Sequence, residues 1–312
     1  LIASAARRAP QVLRSSFQNM FVSQASRGYT MEKLKVIAGM LLSVGIVMYV
    51  APARADQLAD VKARGELNCG VYSNVEPFSY PNAQTRQLEG MDVDLCNAIA
   101  KQIGVKAKLS PLAVEARIPQ LKLARVDIVV ANLAYTKTRA TQIAFSDAYY
   151  STKEVLVVKK ADGGKKLADF AGQKISAADG STSAQSIPLS IKDGQAVTFH
   201  DTSSAFLALA QGKVKGFVTN QMTAIKIAKQ VEGTDGAVTI AAEPMLIEPI
   251  AVGLRLNEMG MLGAVNEALS SLEQSGQLGA IFDRWLGPKT PYGIVRSDKV
   301  TPINQLKFTP VS

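Results

Sequence analysis

The sequence predicts an α/β fold with mixed, mostly parallel strands, and three observations carry that reading. Short apolar runs such as 128–131 alternate with segments in which apolar residues recur at helical spacing, as Met91, Leu95, Ala98 and Ile99 do. Strand ends pass into helix starts through N-capping residues, Thr136 in one place and Gly180-Ser181-Thr182-Ser183 in another. The 312 residues suffice for two lobes, each with its own core.

The elements follow in order. Residues 66–72 alternate and include β-branched Val71 and Tyr72, an aromatic, so they read as the first strand, with 73–77 as the loop at its carboxyl end. In open α/β sheets that end is where ligands bind. A hairpin-like polar stretch, 82–89, leads to a helix over 92–102 that Gly104 stops. Residues 105–109 read as a strand and 116–124 as a helix opening at Arg117-Ile118-Pro119. Residues 154–159 form an alternating apolar strand, the first crossing to a second lobe. A short helix over 165–171 and a strand over 173–177 follow, then strands at 196–199 and 216–219 around a helix at 203–210. Residues 247–254 cross back, and amphipathic helices over 258–285 end at Gly287-Pro288. No solenoid period or low-complexity tract is present.

The chain is organised around residues 126–150. There a buried strand gives way to Asn132, then to the Thr136 cap and a helical turn bearing Arg139. A strand end, a helix start and an arginine together make an anion site, because a guanidinium grips a carboxylate in two places. A solvated arginine in a surface turn is the competing reading, and spacing alone leaves both open.

The run Asp127-Ile-Val-Val-Ala-Asn132, Thr136-Lys-Thr-Arg139 and Ile143-Ala-Phe-Ser-Asp-Ala-Tyr-Tyr150 resembles the signature of the family 3 extracytoplasmic solute-binding proteins, amino-acid receptors of ABC importers. Pro77-Phe78-Ser79-Tyr80, Gly90-Met91-Asp92-Val93-Asp94-Leu95, Arg117-Ile118-Pro119-Gln120-Leu121, Gly180-Ser181-Thr182-Ser183 and Phe282-Asp283-Arg284-Trp285-Leu286-Gly287 fall in the family's order. The similarity spans about 56–288. It implies a two-lobe, type II periplasmic-binding-protein-like fold with two crossing hinge strands. Lobe one would be 56–152 and 249–288, lobe two 153–248, and 289–312 a C-terminal tail wrapping the surface.

The resemblance also implies a site. Arg139 would hold a ligand α-carboxylate, helped by Asn132, Ala134, Ser181 and Thr182. Asn220 stands where the family keeps an acid for the α-ammonium. Tyr72 and Val114 would line the first lobe's wall, and Tyr72 replaces a first-loop acid or arginine. Arg117 before Ile-Pro is similar to the glutamate/aspartate-type branch and suits a second carboxylate, whereas the bland alternative turns it to solvent.

Formal charge is +9, but residues 1–55 carry seven Lys or Arg and one acid, leaving 28 basic against 25 acidic residues. No Arg-rich helix with interleaved aromatics remains, so nucleic-acid binding is not expected. Met31 to Lys35, the apolar run 36–50 and Ala53-Arg54-Ala55 read as a signal peptide over about 31–55, hence a periplasmic protein; residues 1–30 receive no assignment. Cys69 and Cys96 form an even pair in an oxidising compartment, which favours one disulfide over two buried thiols.

His200 lacks both a G-x-S-x-G elbow and metal-ligating partners, and reads as a structural or rim residue. Phe282 and Trp285 read as core. The expected function is therefore the substrate-binding component of an ABC transporter. It would capture an acidic or polar amino acid, deliver it to permease subunits, act as a monomer, and use neither cofactor nor metal. The alternatives are a binding protein for a plain organic acid, or a dehydratase of cyclic carboxylates on the same fold. An enzyme would need a cleft acid, for which Glu76 and Glu115 are the nearest candidates.

Overall fold

The computed structural model describes residues 56–306 and 308, so the expected leader lies outside the described residues. Asp56 caps α1 (Gln57–Arg64), which leads into β1 (Glu66–Tyr72). A small hairpin of β2 (Tyr80–Pro81) and β3 (Leu88–Glu89) precedes α2 (Met91–Ile103), β4 (Lys106–Leu112), α3 (Arg117–Lys122) and β5 (Ile128–Val129). One helical turn, α4 (Lys137–Ala140), then opens into β6 (Ala144–Lys159). Beyond it come β7 (Lys174–Ala178), α5 (Thr182–Ser190), β8 (Gln195–Phe199), α6 (Thr202–Ala210), β9 (Gly216–Asn220) and α7 (Gln221–Gln230). The chain returns along β10 (Val238–Leu254) to α8 (Met259–Gln274) and α9 (Gln277–Trp285).

Among the described residues the strands β4-β1-β5-β10-β6-β9-β7-β8 form one hydrogen-bonded sheet. Both crossing strands are much longer than their apolar cores suggest, at 16 and 17 residues, and their antiparallel ladder joins the two halves. Each flanking half is parallel, through β1 with β4 and β5 and through β7 with β8 and β9. Parallel pairing demands helical crossovers, and α2, α3, α5 and α6 supply them.

The cores divide in the same way. One cluster takes Leu67, Val71, Leu95, Ile128, Tyr149, Val252 and Leu269. Across the crossing, β6 sends alternate residues to opposite faces. Val155 and Val157 pack with Leu209 and Phe217, while Leu156 and Val158 pack with Ile175 and Ile187. Cys69, in the middle of β1, is bridged to Cys96 of α2 with the Cα atoms 6.4 Å apart. Phe282 is buried, but Trp285 is only partly so and donates Nε1–H to Asp94.

The segment after α9 is strapped to β6. Arg296 grips Glu273 and donates to the Tyr149 carbonyl; Asp298 accepts from Ser151 N, and Thr301 pairs with Ala148.

Candidate ligand-binding cleft

The carboxyl ends of β1, β5, β7 and β9 converge on an enclosed cavity of about 30 Å³. Ligand pockets are typically roughly 300–1,000 Å³, so the two halves are drawn together and must part to admit a solute.

Arg139 sits at the centre of the wall. Thr136 caps α4 by accepting from Arg139 N at 3.0 Å, and this fixes the backbone from which the guanidinium projects. Arg139 is 4% exposed; Nη1 donates to the Ala134 carbonyl at 2.8 Å and Nη2 crosses the cleft to the Gly180 carbonyl at 3.0 Å. Burial, then the neighbouring Arg117 charge, pulls its pKa down to about 10, leaving it cationic at neutral pH. With a single turn, α4 offers little dipole, so the positive charge at this wall is the guanidinium's and not the helix end's. The solvated-turn alternative is thereby removed.

Arg117 is also buried. Nε donates to Val114 O at 2.8 Å, and Nη1 to the Tyr72 hydroxyl at 2.9 Å and Ala131 O at 3.0 Å. Its guanidinium carbon lies 5.0 Å from the Tyr72 ring centroid. Arg117 thus faces the cavity rather than solvent, with Nε and Nη1 committed to the protein.

Tyr72, Val114, Arg117, Asn132, Arg139, Ser181, Thr182 and Asn220 all line the cavity. Ala134 does not; it lies behind Arg139, offering its carbonyl and pairing with Ile250. Asn132 adopts a left-handed backbone and accepts from the Tyr150 hydroxyl. The side chains of two residues read as ligand contacts are spent on caps. Ser181 Oγ accepts from Ala184 N and donates to Ala178 O. Asn220 accepts from Thr223 N at the start of α7 and donates to Thr223 Oγ1. The Asn220 amide thus caps α7 while lining the cavity.

The acids are elsewhere. Glu154 on β6 and Glu248 on β10 both line the cavity, each 3% exposed. Burial, and then the charge of Glu248, raises the Glu154 pKa well above the ordinary carboxyl range, opposed by the Ser183 hydroxyl that donates at 2.5 Å. Burial likewise raises Glu248, against the pull of Thr182 and Arg139. In the sequence they are two acids among several polar residues of the crossing strands, and nothing local sets them apart. Glu76 and Glu115 instead occupy the rim, where Glu76 bridges Lys226 at 2.6 Å and Glu115 meets His200 Nδ1 at 2.9 Å. His200 is an exposed rim residue.

The sequence profile of the bacterial extracellular solute-binding proteins, family 3, matches residues 67–288. The glutamine-binding protein GlnH of a Bacillus subtilis ABC transporter is 26% identical over 75% of this chain and 86% of its own length. The L-cystine-binding protein TcyJ of Escherichia coli K12 is 25% identical over 79% and 94%. Among solved structures, an ancestral arginine-binding protein bound to arginine aligns with a TM-score of 0.67 at 32% identity, covering 72% of this chain and 99% of the other. An ancestral amino-acid-binding protein described as a precursor of cyclohexadienyl dehydratase aligns at 0.66 and 27%, covering 75% and 100%. Members of this family are periplasmic or extracellular proteins of ABC-type amino-acid transport, and no helix among the described residues is long and apolar enough to cross a membrane. With the type II binding-protein architecture and a profile match across both halves, the chain belongs to the bacterial extracellular solute-binding proteins, family 3.

Proposed function

We propose that the protein captures a small amino acid by its α-carboxylate and hands it to ABC permease subunits, as a monomer without a cofactor. In this reading 56–152 with 249–288 form one lobe and 153–248 the other, closing about β6 and β10. Export through a leader over about 31–55 belongs to the same proposal. One observation carries it: a nearly buried Arg139 bridges the two sides of the cleft through Ala134 O and Gly180 O. A ligand carboxylate entering the parted cleft would take the guanidinium face that Gly180 vacates, and be enclosed as the second lobe returns. The relatives named for glutamine, cystine and arginine support an amino acid as cargo. Arg117 on the same wall favours a polar or acidic side chain.

The test is a thermal-shift panel of amino acids and dicarboxylates, since ligand that binds only the native state raises its melting point. Calorimetry on Arg139→Ala and Arg139→Lys follows. Loss of the buried partner should cost about 2–5 kcal/mol of binding, and Lys, which keeps charge without the fork, less. Unchanged affinity in Arg139→Ala overturns the reading.

One observation favours a second reading. A cleft carboxyl whose hold on its proton is strengthened by burial, as it is for Glu154, could protonate a leaving hydroxyl in a dehydratase of cyclic carboxylates. Turnover of such a substrate, lost in Glu154→Gln, would establish it; capture without chemistry would remove it.

A further inference from the structure

The carboxylate clamp leaves Glu154 and Glu248 without a task. On β6, Glu154 stands opposite Leu246 of β10 and Asn220 of β9, while Glu248 stands opposite Thr152. The two acids are therefore diagonal neighbours on one face of the crossing ladder. That face is a wall of the cavity. Neither forms a salt bridge among the described residues. Glu248 Oε1 is buried without a geometrically good hydrogen bond, and the two carboxyls face each other closely enough to interact, with Thr182 beside Glu248.

The groups facing the pair are Ser183 and Thr182 from α5, Arg139 from α4, Arg117 from α3, Tyr72 from β1 and Asn220. Nη1 and Nη2 of Arg139 are turned to carbonyl groups, Nε and Nη1 of Arg117 to Val114, Tyr72 and Ala131, and Asn220 to its cap. A buried, unpaired carboxylate is costly, and an incoming cation offsets that cost.

Resting on the amino-acid reading above, we propose that Glu154 and Glu248 form the subsite for a cationic group of the ligand. The cleft then selects a zwitterion over the same carboxylate without its amino group. Charge balance agrees. Two arginines and two ionised glutamates sum to zero, and so does an α-amino acid with an uncharged side chain. The acid used for the ammonium thus comes from the crossing strands, in register with the position where Asn220 has become a cap.

The test compares each amino acid that binds the wild type with its des-amino analogue, in wild type, Glu154→Gln and Glu248→Gln. Wild type should prefer the amino acid by about 100-fold, and each variant should lose about 10- to 100-fold for it while holding the analogue within about threefold. Calorimetry in two buffers of different ionisation enthalpy should read protons released on binding by wild type, and fewer by the variants. Apo melting guards against misfolding. Because burial raises both pKa values, ionisation destabilises the apo fold as pH rises above the ordinary 4.5 through the raised values. Apo Glu154→Gln should therefore melt above wild type at about pH 8, with the gap shrinking at about pH 4.5. Variants that bind the amino acid like wild type, or a wild type indifferent to the amino group, overturn the proposal. A wild type that binds no amino acid overturns the parent reading as well.

Discussion

Gly180→Ala isolates closure of the cleft from the chemistry of its walls. Gly180 has φ +66°, and a Cβ placed there would lie 2.7 Å from Glu115 Cα and 3.1 Å from its Cβ, across the cleft. The backbone strain, about 1–2 kcal/mol for a residue with a side chain in the left-handed region, is present whether the lobes are parted or closed. It lowers stability and leaves the closure equilibrium alone. The collision exists only in the closed form, where the obstacle is main chain that cannot rotate aside. Overpacking of this kind costs about 1–3 kcal/mol, which at about 1.4 kcal/mol per decade is a roughly 5- to 150-fold weaker affinity. The contact from Arg139 to the Gly180 carbonyl at 3.0 Å is strained by the same separation. Calorimetry with the tightest amino acid from the ligand panel measures the loss, and small-angle scattering with saturating ligand should report a wider envelope than wild type. Affinity within about twofold of wild type, alongside a lowered apo melting point, would refute the reasoning, because strain without collision means that Gly180 and Glu115 do not meet when ligand is bound.

Two further outcomes concern the frame. Arg296, Lys299 and the Val300 amide hold the Glu273 pKa down to about 2. Depression below the ordinary 4.5 contributes stability that is full above that value and lost as pH falls towards about 2. Arg296→Ala should make the tail protease-sensitive at neutral pH, with the difference from wild type vanishing near pH 2; equal cleavage of both at neutral pH would show that the strap holds otherwise. Reducing Cys69–Cys96, which are 27 residues apart, should remove about 3 kcal/mol, a fall in melting temperature on the order of 10 °C. An unchanged melt of verified dithiol would refute a stabilising role.

The alternation of strand and helix was legible because its signals are local. Residues 66–72, the Thr136 cap and the Ser181 cap depend on side chains within a turn of each other, and the structure places them where periodicity puts them. The crossing strands were read short because polar residues such as Ser146, Asp147 and Thr152 break the apolar pattern, while pairing in the ladder overrides propensity. Helices α1 and α7 escaped notice, since α7 buries only a narrow face of a largely polar segment. Arg139 and Arg117 were visible through motif; Glu154 and Glu248 were not, because the apolar neighbours that mark a strand also mask an acid whose partner lies on another strand. Asn220 was legible as a cleft residue but not as a cap: a side chain at a strand's carboxyl end can equally serve the helix that follows, and here it does.

The tail strap bears on where the molecule can bend. The β6–β10 ladder is regular from Tyr150↔Ile250 to Glu154↔Leu246 and irregular on either side, between Ile250 and Gly253 and again between Ile240 and Leu246. Irregular ladder is compliant ladder, so the ribbon has two soft joints flanking a stiff segment. Residues 296–301 splint the first joint, fastening Ala148, Tyr149 and Ser151 to the end of α8. The second joint, around Pro244, carries no such brace among the described residues. Glu154 and Glu248 stand in the regular segment between the joints, and Glu154 is paired there with Asn220 of β9. The segment after α9 is thereby an outside brace on one end of the ribbon that runs between the two halves.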